Sequence, residues 1–110
     1  MNVDMSLISL ACNMNVFTQV ERESHIQNTL ELFNTVQTIY DAPDGYKFLF
    51  PSDSETIAKL AEFIKNERLC CPFLEFDLKV SPNEQPISLL LTGPEGTQEF
   101  LREEFSEAFA

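Results

Sequence analysis

The sequence of 110 residues has few positive charges, no tryptophan and no long apolar run. Seven lysines and arginines stand against eighteen aspartates and glutamates, which gives a formal net charge of −11. Because nucleic-acid affinity depends on Lys and Arg side chains that displace counterions, we expect no nucleic-acid partner. An anionic membrane surface is disfavoured for the same reason, and no apolar run approaches the roughly 20 residues of a membrane span. We therefore expect no membrane partner either.

The first residues also lack the features of an export signal. The run Leu7–Ala11 before Cys12 faintly resembles a lipoprotein cleavage site, but no Lys or Arg precedes it and Asp4 lies where positive charge belongs. Without an export signal, the protein is predicted to be cytoplasmic, where thiols stay reduced.

Cysteine is scarce, with three residues in the whole sequence. Three cysteines cannot all pair internally, and the adjacent Cys70 and Cys71 are too close in the chain for an unstrained disulfide. A fold held together by disulfides is therefore disfavoured.

Familiar catalytic motifs are missing as well. We find no phosphate loop, no serine nucleophile elbow and no H-E-x-x-H. The single histidine, His25, lies in an acidic polar stretch and is expected to face solvent. Cys70 and Cys71 follow a predicted helix, whose C-terminal partial negative charge disfavours a thiolate. The sequence thus favours a protein that is not an enzyme.

What the sequence does contain is an apolar fraction of 44% with ten phenylalanines, which is typical of one globular domain over residues 1–110. In the fourth predicted strand, Phe76 and Leu78 alternate with Glu75 and Asp77, a pattern typical of an antiparallel sheet with one packed face. Thr18 and Glu21 have the spacing of a helix capping box. We predict strands over 6–12, 36–41, 45–50, 73–80 and 87–92, and helices over 18–34, 53–70 and 95–109.

These elements follow the order β-α-β-β-α-β-β-α. They predict an α+β fold with a five-stranded, mainly antiparallel sheet and helices on one face. A ferredoxin-like core with an added strand and helix is one specific version of this fold.

The cysteines are the main chemical feature. The apolar stripe of the second predicted helix, which includes Leu60 and Ile64, continues onto Glu67 and Cys71, so the packed face of that helix becomes polar in its last turn. Alternate residues of a strand lie on the same face, and in the first predicted strand Cys12 lies on the face of the apolar residues. If that side of the strand faces the helices, Cys12, Cys70 and Cys71 meet at one end of the sheet beside Glu67.

Three thiolates in one place would bind a soft metal or metalloid ion. We therefore predict Cys12, Cys70 and Cys71 as metal ligands, with the ion unknown but thiophilic, zinc included. Zinc would need a fourth ligand, for which Glu67 or water would serve, with His25 a more distant alternative. Arg22, on the expected packed side of the first helix, is predicted to pair with Glu67 and to orient the site.

Two other interpretations remain open. The cysteines could be small buried hydrophobic residues of a protein-interaction module that forms a homodimer through its Phe-rich surface. Alternatively, Cys70 or Cys71 could serve as the nucleophile of a redox enzyme or a small-ligand hydrolase, which would need a lowered thiol pKa.

The segment Glu67–Phe73 reads E-R-L-C-C-P-F and resembles a small uncharacterised bacterial domain family marked by E-x-x-C-C-P-F. Ala11, Cys12 and Arg22 match the Ala-Cys pair and the later Arg of that family, and the resemblance covers residues 8–106. Some members are fused to regulators of the mercury-resistance (MerR) type. The resemblance implies a link to heavy-metal or thiol-stress sensing.

Overall fold

Four strands and four α-helices make up the part of the chain that the computed structural model describes, residues 12–109. A short 3-10 helix, Met14–Val16, precedes them. In chain order the elements are α1 (Gln19–Phe33), β1 (Thr38–Ala42), β2 (Gly45–Phe50), α2 (Ser54–Cys70), β3 (Glu75–Lys79), β4 (Ile87–Thr92), α3 (Thr97–Glu104) and α4 (Ser106–Phe109).

Local sequence signals set the helix ends. The Thr18 hydroxyl accepts a hydrogen bond from the Glu21 N–H, and the Glu21 carboxylate accepts one from the Thr18 N–H, so the predicted capping box is confirmed. The cap of α2 is Asp53, whose carboxylate accepts from the Thr56 N–H at 2.8 Å. This helix ends at Cys70, because Pro72 disfavours helical backbone in the residue before it.

The sheet has the strand order β1-β2-β4-β3, and all of its neighbouring strands are antiparallel. Phe48 of β2 lies opposite Ile39 of β1 on one side and Leu89 of β4 on the other. The turn between β1 and β2 passes through Asp44, which takes a positive φ of 56°. Asp tolerates this left-handed backbone better than most residues.

One face of the sheet carries the core. The alternate residues of β2 and β4 that point to this face are fully or almost fully buried, while Lys47, on the other face of β2, is exposed. Phe33 of α1 stacks on Phe105 with ring centroids 4.3 Å apart. The buried core side chains of β2 and β4 are Tyr46, Phe48, Phe50, Ile87, Leu89 and Leu91, and the helices add Leu32, Phe33, Leu60, Phe63 and Leu101.

The predicted α+β class and the antiparallel sheet are confirmed, as are four of the predicted strands in outline. The ferredoxin-like version is wrong, because it needs the N-terminal strand between β2 and β3, and β4 lies there. Residues 6–11 of the first predicted strand, 6–12, lie outside the described residues, and Cys12 itself is not in a strand.

The last predicted helix, over 95–109, is divided into α3 and α4 at Phe105. It also begins later than predicted, after Gly96 with its positive φ of 97°.

Among the described helices, none has both the length and the apolar composition needed to cross a membrane.

Candidate functional site

Two segments that are far apart in sequence meet at the C-terminal end of α2. The Asn13 N–H donates a hydrogen bond of 2.7 Å to the Cys70 carbonyl, which fixes the chain next to Cys12 against the end of the helix. The Cys71 N–H donates to the Glu67 carbonyl at 2.8 Å, so Cys71 still closes the last helical turn. Backbone hydrogen bonds therefore hold the three cysteines together.

The ligand atoms of Cys12, Glu67, Cys70 and Cys71 all lie within 4.8 Å of one another. We call these four residues the thiol cluster. Glu67, Cys70 and Cys71 are buried, and Cys12 is half-buried. The structure thus brings together the three cysteines that the sequence analysis selected, with Glu67 beside them.

Two of the sulfurs are bonded to each other. Cys12 and Cys71 form a disulfide, with Cα atoms 4.7 Å apart and a sequence separation of 59 residues. Cys70 is the free thiol. The sequence analysis disfavoured a fold held together by disulfides and did not predict this pairing. The sequence argument considered only the adjacent pair Cys70 and Cys71, whose disulfide would be strained. The fold instead pairs Cys71 with the distant Cys12, at an ordinary Cα separation.

The Glu67 carboxylate lies at the centre of the contacts. Its Oε2 lies 3.3 Å from Cys71 Sγ, and the Cys70 thiol donates to its Oε1 at 3.6 Å. The same Oε1 lies 2.8 Å from His25 Nε2. A carboxylate that is only 2% exposed needs such partners, because an unpaired buried charge is costly.

His25 does not face solvent. It is only 4% exposed, and its ring packs between Phe17 and Phe63 at centroid distances of 5.5 and 6.0 Å. The prediction was wrong because it relied on the acidic residues near His25 in sequence, whereas the exposed side of α1 is the one that carries Ile26 and Leu30, at 46% and 44%. The buried side of the helix is instead set by Leu32 and Phe33, seven and eight residues after His25.

The predicted pair between Arg22 and Glu67 is also wrong, because His25 takes that position one helical turn later. Arg22 is half-buried, and within residues 12–109 its Nε has no hydrogen-bond partner. Its side chain therefore does not orient the Glu67 carboxylate.

Glu104 of α3, which the sequence analysis did not select as a site residue, is exposed but also reaches the thiol cluster. Its Oε2 lies 3.8 Å from Cys12 Sγ. Burial of the carboxyl group, followed by repulsion from Glu67, raises the pKa of Glu104 above its usual value. The sequence does contain a signal for this position, because residues three and seven apart lie on the same face of a helix. Glu104 follows the inward-facing Leu101 by three residues and Thr97 by seven.

The free thiol is a poor nucleophile. Burial, and secondly the negative charge of Glu67, raise the pKa of Cys70 to about 12. The thiolate, which is the reactive form, is therefore almost unpopulated near neutral pH. This argues against the enzyme interpretation for Cys70, and Cys71 is occupied in the disulfide.

Comparisons with protein-family models, with curated proteins and with solved structures found no match. The resemblance to the E-x-x-C-C-P-F family therefore stays a prediction.

Proposed function

We propose that the protein binds one thiophilic metal ion through Cys12, Cys70 and Cys71 when the disulfide is reduced. The observation that carries this proposal is the grouping of three sulfurs and one carboxylate within 4.8 Å. Metal–sulfur bonds near 2.3 Å place the sulfurs around one ion roughly 4 Å apart. The sulfurs of Cys70 and Cys71 are already 3.8 Å apart. Small side-chain movements would complete the set once Cys12 is released.

Glu67 is suited to two roles at this site. As an oxygen ligand it would complete a tetrahedral shell for zinc, and beside a trigonal three-sulfur ion it would remain an outer partner. In either case, its hydrogen bond with His25 holds the carboxylate towards the sulfurs. Such outer contacts orient metal ligands and are usually needed for full affinity. His25 thus replaces Arg22 as the proposed orienting residue.

Oxidation and ion binding exclude each other at this site. The disulfide takes up two of the three proposed sulfur ligands, and its formation removes two electrons and two protons from the dithiol. In a reducing compartment such as the cytoplasm, which the sequence predicts, the open form with three thiols would prevail. An oxidant would then close the site and release the ion.

The raised pKa of Cys70 bears on which ions would bind. A bound ion must displace the thiol proton, so affinity depends on how strongly the ion prefers sulfur. Ions that favour thiolates most, such as Cd(II) and Hg(II), would overcome this cost better than Zn(II). This order agrees with the heavy-metal link that the family resemblance implies.

An interaction module with inert cysteines is the second candidate function. Ile26 and Leu30 favour it, since these apolar residues lie one turn apart on α1 and are each close to half exposed. A homodimer through this helix would be weakened by Leu30→Glu, which analytical ultracentrifugation would show, with no effect of metal ions. We do not expect a nucleic-acid partner in either case, given the net charge of −11.

A thiol count tests the metal proposal. The protein is reduced without oxygen, mixed with one equivalent of Zn(II) or Cd(II), and its accessible thiols are titrated with a chromogenic disulfide in mild denaturant. We expect one ion to protect three thiols, and the oxidised protein to bind none. Cys12→Ser and Cys71→Ser should weaken binding even under full reduction. Unchanged thiol reactivity at stoichiometric Cd(II), in protein shown by circular dichroism to be folded, would reject the proposal.

A further inference from the structure

A cavity of about 110 Å³ lies beside the thiol cluster, between α1 and the C-terminal end of α3. Apolar side chains of α1 and Met14 form part of its wall. Its polar wall consists of His25, Thr29, Glu67 and Glu104. The cavity is therefore lined by two acidic side chains that also contact the sulfurs.

These two carboxylates are the link between the cavity and the cluster. Glu67 lies 3.3 Å from Cys71 Sγ, and Glu104 lies 3.8 Å from Cys12 Sγ. Cys70 and Cys71 have no exposed surface of their own. An ion that arrives through the cavity would meet a carboxylate oxygen before it meets a sulfur.

Unpartnered polar atoms in the cavity wall also point to a ligand. His25 Nδ1 is buried and has no hydrogen-bond partner among residues 12–109, and the same holds for Thr29 Oγ1. Nearly all buried polar atoms of folded proteins have partners. In neutral His25, a hydrogen on Nε2 that is donated to Glu67 leaves a lone pair on Nδ1. Both residues line the cavity, and after a small rearrangement a hydrogen-bond donor there, such as a water ligand of a hydrated cation, would satisfy these atoms, which have no accessible surface in this structure.

We propose that this cavity is the access route to the thiol cluster, and that it selects hydrated cations over neutral metalloid species. The inference rests on the proposed function and deepens it by naming the class of ion. The carboxylates of Glu67 and Glu104 attract the cation, and the net charge of −11 raises its local concentration. Exchange of water for sulfur then releases the thiol protons to solvent. Arsenous acid is uncharged at neutral pH, so these negative charges do not raise its local concentration.

The test compares loading rates in stopped-flow mixing at pH 8, with fully reduced protein and either Cd(II) or arsenous acid, followed by thiolate absorption in the ultraviolet. Glu104→Gln removes one charge from the cavity. Glu103→Gln removes one charge from the same helix, at an exposed position that does not line the cavity, and serves as the matched control. We expect Glu104→Gln to slow Cd(II) loading by about threefold or more and to change arsenous acid loading by less than about twofold. The control should change neither rate by more than about twofold.

Three results would overturn the inference. Equal slowing by both variants would show a general charge effect. Slowing of arsenous acid as well as Cd(II) by Glu104→Gln would show a structural effect, and an unchanged Cd(II) rate would remove Glu104 from the route. In each of these cases the wild type still binds ions, and the proposed function stands. If the reduced wild type binds neither Cd(II) nor arsenous acid, both proposals fail together.

Discussion

His25 Nε2 and Glu67 Oε1 are joined by a hydrogen bond of 2.8 Å in a part of the protein where neither side chain is more than 4% exposed. The bond spans 42 residues of sequence and connects α1 to α2. It holds a carboxylate that contacts two sulfurs of the thiol cluster. The pair therefore couples the packing of the helices to the chemistry of the site.

Loss of His25 should be costly because it leaves a buried carboxylate without its closest partner. We expect His25→Ala to lower the free energy of unfolding by about 3 kcal/mol. Urea denaturation at pH 7 measures this value. The double variant His25→Ala/Glu67→Gln, which removes the buried charge, should recover part of the loss. A single-variant cost below about 1 kcal/mol would mean that Glu67 does not depend on His25.

The disulfide should contribute strongly to stability because it closes a loop with a sequence separation of 59 residues. The chain-entropy relation gives about 4 kcal/mol for a loop of this length. Urea denaturation with and without a phosphine reductant measures it. We expect reduction to lower the unfolding midpoint of the wild type and of Cys70→Ala, while Cys12→Ser starts low and does not respond. Equal midpoints for oxidised and reduced wild type would contradict the disulfide.

Cys70 should resist alkylation in the folded, oxidised protein. Its thiol is fully buried and its pKa is raised to about 12, so at pH 8 the thiolate fraction is far below that of an ordinary cysteine. We expect iodoacetamide to label Cys70 at least about 100-fold more slowly in native protein than in urea, as measured by intact mass. Rapid native labelling at pH 8 would support the redox-enzyme interpretation instead.

The cap at the first turn of α2 can be tested by comparing the stability of variants at two pH values. Ser52 and Glu55 also have the spacing of a capping box. In the structure, however, the Asp53 carboxylate accepts the Thr56 N–H, and this hydrogen bond lowers the pKa of Asp53. A lowered folded-state pKa adds stability above the unfolded pKa, and this stability is lost as the pH falls through the folded value. We expect Asp53→Ala to lower the melting temperature at pH 7 but much less at pH 2. Ser52→Ala is the control, and a larger effect from Ser52 would contradict the structure.

Strong local patterns in the sequence predicted most of the fold. In β2, every second residue is apolar and packs on the core, so alternation was sufficient to locate this strand. Cys70 and Cys71 were placed correctly at the end of α2, because Pro72 disfavours helical backbone before it. The strand order of the ferredoxin-like version was wrong, because strand order depends on contacts between distant segments.

The site was harder to predict because its details depend on side chains from four segments. The apolar residues of α1 are spread around the helix and include the partly exposed Ile26 and Leu30, so periodicity does not identify His25 as buried. Glu104 is recognisable only when α3 lies against the cluster. The Cys12–Cys71 pairing requires two residues far apart in sequence to meet in space. No local rule carries that information.

X-ray absorption spectroscopy of the reduced protein loaded with one equivalent of Zn(II) tests the central claim most directly. The account predicts three sulfur neighbours near 2.3 Å with one oxygen or nitrogen, and two sulfurs in Cys12→Ser. A shell with at most one sulfur, or a sulfur number that does not change in Cys12→Ser, would contradict it.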